Sequence, residues 1–565
     1  IVSRAMPLPD NASRIPATEI GCAQLTEITT YISGMEITRP QIMRAVRTHM
    51  ALANFGKVFR SVGDFYGRSQ ETSRIQEFWS HTWHRSPWQK ILTLLVLHNG
   101  PPAALFGTLG AFLAAGLYAC GILPGIQGGD GVICIWPLVF GLGCSLLILL
   151  LWRGQKLVFV DRMCINQVNP RLKAEGIVSL AGILKTSESM LVLWDEAFGE
   201  RLWCLFELAA FLKSAEGGRK PLTIRPTCLG HCTILSFLFF GGPRLAFAAS
   251  NSQVVGFPET VEGLATFLPL FCVVAMLCLF IPVRAFRRFF HSVEVMHTQL
   301  ASRNGISQAM CSCCSFDHKA PDGTHMACDK ELIQEIITSW FGGQEAFNDA
   351  VTRRAARVLS YQLEREAFSY AWCVGISCPF FWGWLNLAAV PAAGQDWESA
   401  GQIVAVGLIS WLGGIPFVVA YFLSLCRLTC KTEASRCKEV LKSLLVAGGV
   451  SCPIMLLGAA YALSGNLISS FMWRQIAYAG FWLSMWGMKV ACDRCSQSKP
   501  CEGTSASAHQ HQLGTGLSRM TALGFTSKAS QVRSFSSTLQ KQVVPAATEL
   551  QRTDPSTDAV LPVPQ

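Results

Sequence analysis

Glu207 is the side chain whose place in the sequence most favours a chemical role. It lies in a segment with helical spacing, where its neighbours one turn away are Trp203, Cys204, Ala210 and Phe211. None of these forms an ion pair with a carboxylate. Burying an unpaired carboxylate is costly, so Glu207 must find a partner elsewhere in the fold or lie in a cleft. The alternative is a structural glutamate that holds backbone groups or a loop arginine.

Three further polar residues stand where apolar runs end. Asp161 follows the run Leu157–Val160, and Ser80 and His81 follow the run Ile75–Trp79. In open α/β sheets, ligands bind at the carboxyl ends of the strands, so we expect all three near a ligand site. For Asp161, capping the turn that follows is an equal alternative. For His81, the alternative is a hydrogen-bonded structural group.

The elements that must position these residues alternate between two periodicities. Leu157–Val160 and Met190–Trp194 have the composition of buried strands, whereas Arg171–Thr186 and Glu200–Lys213 have helical spacing. Strand, helix, strand and helix joined by short links predict a parallel α/β sheet. Upstream, Ile75–Trp79 is the predicted first strand and Ser86–His98 the first helix. Pro221–Arg225 is a predicted fourth strand, and no fifth is evident.

Two motifs in this region resemble known families. Trp203 to Leu208 read Trp-Cys-Leu-Phe-Glu-Leu, similar to the Trp-Cys-Leu-x-Glu-Leu helix of plant-type Toll/interleukin-1-receptor (TIR) domains. Asp161 to Gln167 read DRMCINQ, similar to the Asp-x-x-Cys-Ile-x-Gln signature of the related heterokaryon-incompatibility domains. The resemblance covers roughly a fifth of the chain. It implies a TIR-like, flavodoxin-like domain with a parallel sheet.

The resemblance also implies a chemistry and a partner. In TIR enzymes the glutamate matching Glu207 promotes cleavage of the nicotinamide–ribose bond of NAD. A carboxylate suits that reaction because bond breaking builds positive charge on the ribose. Trp203, Asp161, Ser80 and His81 then become candidate nucleotide-binding residues, although Trp203 is most simply a packing aromatic and its nucleotide role is secondary. Many TIR domains only assemble, so a non-enzymatic receptor or scaffold that self-associates and recruits partners is the main alternative.

Composition places this domain inside a membrane protein. Half of the 565 residues are hydrophobic, 15% are charged and the mean hydropathy is +0.34. Apolar runs of the length that crosses a bilayer predict about eight transmembrane helices, an even number. They are Pro102–Leu123, Val132–Trp152, Leu229–Ala249, Leu264–Val283, Ser369–Val390, Ile403–Cys426, Ser443–Leu463 and Gln475–Met488. We find no clear ionisable pair within them, which weakens a third reading, that of a regulated channel or transporter.

Basic residues favour one side of this arrangement. The link 427–442 carries five Lys or Arg, and three Arg follow Val283, whereas the link 392–400 has only acids. By the positive-inside rule both termini and the TIR-like unit are cytosolic. We therefore attribute the net charge of +10 to the basic residues on the cytosolic side of the membrane, and we expect no nucleic-acid partner. No signal peptide opens the chain at Ile1, which leaves open whether residues precede it.

A cysteine-rich segment offers a candidate metal site. Most of the 23 cysteines fall in predicted crossings or cytosolic segments, where thiols stay reduced. Thiolates and an imidazole at this spacing can hold zinc. Buried thiols and lipid-modified juxtamembrane cysteines are the alternatives. The candidate zinc ligands are Cys311, Cys314, His318 and Cys328.

These features divide the chain into segments. An N-terminal cytosolic region, 1–75, precedes a TIR-like domain split into 76–100 and 153–227 by a membrane hairpin, 102–152. A second hairpin, 229–283, is followed by a helical, cysteine-rich cytosolic segment, 284–366. Two more hairpins, 369–426 and 443–488, lead to a tail, 502–565, whose Ser, Thr, Gln and Pro content predicts disorder.

Overall fold

The structure is a computed structural model. It describes residues 28–83, 86–128, 131–215, 220–249, 261–301, 308–309, 311, 329–351, 353–354, 358, 362, 368–431, 435–463 and 475–487. Three of the predicted zinc ligands, Cys314, His318 and Cys328, lie outside these residues, as does the predicted disordered tail.

A six-stranded sheet forms the α/β part of the molecule. Its spatial order is β2-β1-β6-β3-β7-β8, and β6, β3, β7 and β8 run parallel. If the four parallel strands are renumbered 1 to 4 by their order in the sequence, their order across the sheet is 2-1-3-4, as in flavodoxin-like sheets. The bounds of the six strands are β1 Arg44–Arg47, β2 Gln70–Glu71, β3 Glu77–His81, β6 Leu157–Phe159, β7 Met190–Trp194 and β8 Leu222–Pro226. The remaining pair, β4 Ile126–Gly128 and β5 Gly131–Ile133, forms a separate hairpin.

The parallel strands are buried on both faces by helices. Every residue of β3 and β7 is buried, and β7 is a continuous apolar run, as expected for such a strand, whereas β3 also buries Glu77, Ser80 and His81. Predicted helix 171–186 is two helices, Pro170–Val178 and Leu180–Thr186, joined at Ser179. The first begins where the Asn169 side chain accepts the backbone N–H groups of the first turn. The helix Leu202–Ser214, which carries Glu207, agrees with the predicted 200–213 within two residues.

The first 75 residues contribute to the sheet, which the sequence did not indicate. Strand β1 pairs antiparallel with β6 on one side and with β2 on the other. Residues 44–47 and 70–71 therefore extend the sheet by two strands beyond the parallel four. The split domain thus includes part of the segment that was predicted to precede it.

The helix Pro87–Ala119 joins two parts that the sequence analysis treated separately. The predicted helix Ser86–His98 and the first predicted crossing form one continuous helix of 33 residues, with Pro101 and Pro102 inside it. The helix Trp136–Leu151 packs against it and completes the hairpin between β3 and β6.

Helices cover most of each of the eight predicted crossings, including residues 475–487 of the last one, but eight transmembrane helices are not shown. Among the described residues, two helices are long and apolar enough to cross a membrane, Pro87–Ala119 and Trp397–Leu428. A third qualifies if the pair Tyr370–Ile376 and Cys378–Ala393, bent by 50°, is one span. The helices Leu229–Ala249, Val261–Ala301 and Arg436–Leu463 accompany them, with Ile415–Leu428 closing the second long span.

Glycines allow the apolar helices to approach one another closely. Trp382 is fully buried in the helix Cys378–Ala393 and lies against Gly107 and Gly141 of the neighbouring hairpin. A Cβ atom on Gly141 would lie 2.5 Å from the Trp382 ring, and one on Gly107 would lie 1.9 Å from Ser145 Oγ. Such small-residue contacts are how helices pack in a bilayer, where lipid competes equally for apolar surface.

A buried arginine joins two of the long helices. Arg287 of helix Val261–Ala301 is 2% exposed and donates to Glu439 Oε1 at 2.7 Å and to Ser443 Oγ at 2.7 Å. It also donates to the Thr429 carbonyl oxygen at 2.8 Å. The link between the helices that end at Leu428 and begin at Arg436 is thereby held against helix Val261–Ala301.

Candidate functional site

The candidate site lies where the order of the parallel strands reverses. Strands β3 and β7 are neighbours here although β6 lies between them in sequence, and such a switch point opens a crevice at the carboxyl ends of the strands. The two ends are joined directly, because Thr82 Oγ1 donates a hydrogen bond to Asp195 Oδ2. Asp195 is 5% exposed and also accepts the backbone N–H of Ala197 at 3.1 Å.

Glu207 meets Ser80 at this switch point. Ser80 Oγ donates a hydrogen bond of 2.5 Å to Glu207 Oε2, joining helix Leu202–Ser214 to β3. Burial raises the pKa of Glu207 to about 8, and the nearby charge of Asp161 adds to the rise while the Ser80 hydrogen bond opposes it. The Glu207 side chain keeps part of its surface accessible. The predicted pair of a strand-end serine and the helical glutamate is therefore in contact.

His81 faces away from Glu207. Successive side chains of a strand point to opposite faces, so the ring of His81 lies on the side opposite to Ser80. There it packs edge-on against Phe59, with ring centroids 5.2 Å apart, and against Trp83 at 4.4 Å. Burial lowers the pKa of His81 to about 4, an effect that the neighbouring Asp161 carboxylate only partly offsets. His81 is a neutral imidazole at neutral pH.

Asp161 lies at the carboxyl end of β6 and accepts a hydrogen bond from the indole of Trp83. Its Oδ2 accepts the Trp83 Nε1–H at 2.8 Å, and its Oδ1 accepts the backbone N–H of Arg162 at 2.7 Å. The guanidinium carbon of Arg162 lies 3.6 Å from the centroid of the Trp83 ring, a cation–π contact. The role of capping the turn is present in this arrangement, whereas a ligand role for Asp161 stays a prediction.

Trp203 points toward a different part of the chain. Its Nε1 donates to Asp329 Oδ2 at 3.4 Å, and its ring packs edge-on against Phe206. Phe206 in turn stacks on Trp340 at 5.6 Å. These contacts join the helix Leu202–Ser214 to the helix Asp329–Phe341, so Trp203 serves there as a packing aromatic.

Three residues of the site were not singled out from the sequence. Thr82 and Asp195 follow β3 and β7 directly, and the strand-end rule that selected Asp161 applies equally to both. Lys90, from the first turn of helix Pro87–Ala119, donates to the Thr82 carbonyl oxygen and is 2% exposed. Nothing in the spacing of Lys90 distinguishes it from a surface lysine.

Cysteines give little support for metal or thiolate chemistry. Cys204 Sγ lies 3.8 Å from the His81 carbonyl oxygen, and burial raises its pKa well above the usual range, so it stays a thiol. Cys311, the one predicted zinc ligand among the described residues, is buried. The described residues contain no group of three or more His, Cys, Asp or Glu side chains placed to hold a metal ion.

Comparison of the chain with protein-family models, with curated proteins and with solved structures finds no match. The geometry of the strand ends is therefore the basis for any functional assignment.

Proposed function

We propose that this chain is a membrane-anchored, TIR-like signalling protein whose α/β domain hydrolyses NAD at the nicotinamide–ribose bond. One observation carries the proposal: Glu207, the residue selected by the TIR-like motif, lies at a strand switch point in contact with Ser80. A partly accessible carboxyl group with a raised pKa at such a position is typical of a functional site.

Cleavage of the nicotinamide–ribose bond is favoured by a carboxylate beside the ribose. The bond between the ribose C1′ and the nicotinamide nitrogen breaks, and its electron pair goes to the nicotinamide ring, which becomes neutral. The ribosyl oxocarbenium ion that remains is stabilised by the Glu207 carboxylate, and water adds to C1′ and releases a proton. The Ser80 hydroxyl fixes the orientation of that carboxylate through its hydrogen bond.

The raised pKa of Glu207 sets a condition on this role. In the free protein the carboxyl is largely protonated at neutral pH, because its pKa is about 8. The positively charged nicotinamide ring of NAD favours the ionised form when it binds nearby. We therefore expect turnover to rise with pH up to about 8.

The non-enzymatic scaffold remains the second candidate, and one observation favours it. The hydrogen bond from Ser80 already satisfies Glu207, and Thr82 already satisfies Asp195, which is what a purely structural network would show. In that case the domain acts through self-association and recruitment of partners.

An NAD-consumption assay on the detergent-purified full chain tests the proposal. Glu207→Gln keeps the shape and removes the charge, so kcat should fall by about 10²-fold or more. Glu200→Gln is the matched control, since Glu200 is an exposed carboxylate seven residues earlier, and it should leave turnover unchanged. Wild-type protein that consumes no NAD even when clustered would favour the scaffold.

A further inference from the structure

Trp83 covers the carboxyl ends of two neighbouring strands. It follows β3 by two residues, and its indole N–H is bound to Asp161, the residue at the end of β6. The Arg162 guanidinium carbon lies over the ring, 3.6 Å from its centroid. The ring itself is only partly buried, so it lies at the surface of the site rather than within the core.

The imidazole of His81, which packs against the Trp83 ring, has hydrogen-bonding atoms that lack a well-aligned partner. His81 is 7% exposed, and neither ring nitrogen is in hydrogen-bonding geometry with a described residue. A buried polar atom left without a partner costs free energy that a folded protein normally avoids. The neutral imidazole has one donor and one acceptor to offer. The Trp79 backbone lies close enough to raise the pKa of His81 slightly, so the imidazole has at least one ring nitrogen available to a ligand that reaches it.

The Trp83 ring also stacks on Phe59, with ring centroids 6.1 Å apart. We propose that Trp83 is a latch that closes this side of the site, and that a ligand's planar ring replaces the indole against Phe59 and Arg162. Opening the latch frees the Asp161 carboxylate to accept a ligand N–H or O–H and uncovers His81. A nitrogen-bearing aromatic ring, such as the base of a nucleotide, fits this set of groups. Naming a nucleotide rests on the proposed function, whereas the latch itself rests on the contacts of Trp83 alone.

Carbethoxylation of His81 by diethylpyrocarbonate, mapped by mass spectrometry, tests the latch in the full-length protein. Burial keeps this imidazole neutral at pH 6, with a pKa of about 4, so access rather than protonation limits its reaction. Trp83→Ala removes the cover, and we expect labelling of His81 to rise about tenfold or more. Trp83→Phe keeps a ring but loses the hydrogen bond to Asp161, and it should give an intermediate increase.

Trp88→Ala is the matched control. Trp88 is 46% exposed and also lies under an arginine, with Arg60 at 4.8 Å, but in the described part of the chain it forms no hydrogen bond or ring contact with Asp161 or His81. It should leave His81 labelling at the wild-type rate. Trp83→Phe also guards against misfolding, because it conserves most of the side-chain volume.

Binding of NAD to the same variants separates the latch from the proposed function. If both hold, Trp83→Ala binds NAD about tenfold more tightly, since the indole no longer competes for Asp161. If His81 labelling rises but no variant binds NAD, the latch stands and the nucleotide assignment fails. Equal labelling of His81 in wild type, Trp83→Phe and Trp83→Ala overturns the latch, whatever NAD does.

Discussion

Ser80 and His81 are adjacent in β3, yet their side chains lie on opposite faces of the sheet, so that only Ser80 reaches Glu207. The domain therefore presents two chemically different sides at one strand end. One side holds a carboxyl group hydrogen-bonded to a hydroxyl, and the other holds a neutral imidazole under an indole. Four predictions follow from these and other contacts.

Glu207→Gln should stabilise the protein at neutral pH. The pKa of Glu207 rises on folding from 4.5 to about 8, so its ionisation opposes folding, and stability is lost as pH increases between these values. The neutral amide avoids that loss, and we expect a gain of up to about 4 kcal/mol at pH 7.5. Thermal unfolding of both proteins between pH 5 and pH 8 measures it. A difference that does not grow with pH would contradict the assignment.

His81 should make the fold sensitive to acid. Its pKa falls on folding from 6.5 to about 4, so the unfolded chain takes up a proton first. Stability contributed by the neutral imidazole is complete above pH 6.5 and is lost as pH falls toward 4. His81→Phe, which cannot titrate, should show a smaller decrease in melting temperature between pH 6.5 and pH 4.5 than wild type. Parallel curves for the two proteins would show that His81 is not the group responsible.

Adding a side chain at Gly141 should destabilise the protein. A Cβ atom there would lie 2.5 Å from the Trp382 ring, and we expect Gly141→Ala to reduce the free energy of unfolding by about 1–3 kcal/mol. Gly143, on the same helix, has no atom within 4 Å of its Cβ position. Gly143→Ala should therefore be neutral or stabilising by up to about 1 kcal/mol, because alanine favours helix. Equal melting temperatures for the two variants in detergent would refute this packing.

Arg287 should be essential to the link between two helices. Arg287→Met removes the ion pair with Glu439, and breaking a buried pair typically costs about 3–5 kcal/mol. The exposed neighbour Arg288 provides the control, and Arg288→Met should have little effect. Adding Glu439→Met to Arg287→Met should restore much of the loss, since the carboxylate that faced Arg287 is then absent. Thermal unfolding and proteolysis of the link after Leu428 both report the change.

Strong local patterns predicted much of this fold. The apolar run Met190–Trp194 is a strand with the predicted bounds, because a strand buried on both faces needs a continuous apolar sequence. Strand β3 lies two residues later than predicted, since Ser80 and His81 are compatible with a buried strand when one has a partner and the other is covered by rings. Strands β1 and β2 were not predicted, because segments of four and two residues are too short to show the alternation of apolar and polar residues that marks a strand.

The candidate site was predictable only in part. The helix and strand positions brought Glu207 to Ser80, as expected from a strand end facing a helix. The direction of Trp203 could not be foreseen, because it depends on Asp329, which is 126 residues away in sequence. The hydrogen bond between Thr82 and Asp195 depends likewise on β3 and β7 being neighbours, and that strand order is a property of the whole sheet.

The order in which a ribosome delivers this chain has a consequence for its assembly. Of the four parallel strands, β3 emerges first, the apolar hairpin of Pro87–Ala119 and Trp136–Leu151 comes next, and only afterwards do β6, β7 and β8 appear. Strand β3, which is buried on both faces in the finished sheet, therefore stays unpaired until the hairpin has been placed and its neighbours have been synthesised. If that hairpin is misplaced, β3 is separated from its neighbours, so folding of the α/β domain depends on correct placement of a segment that contributes no strand to its sheet.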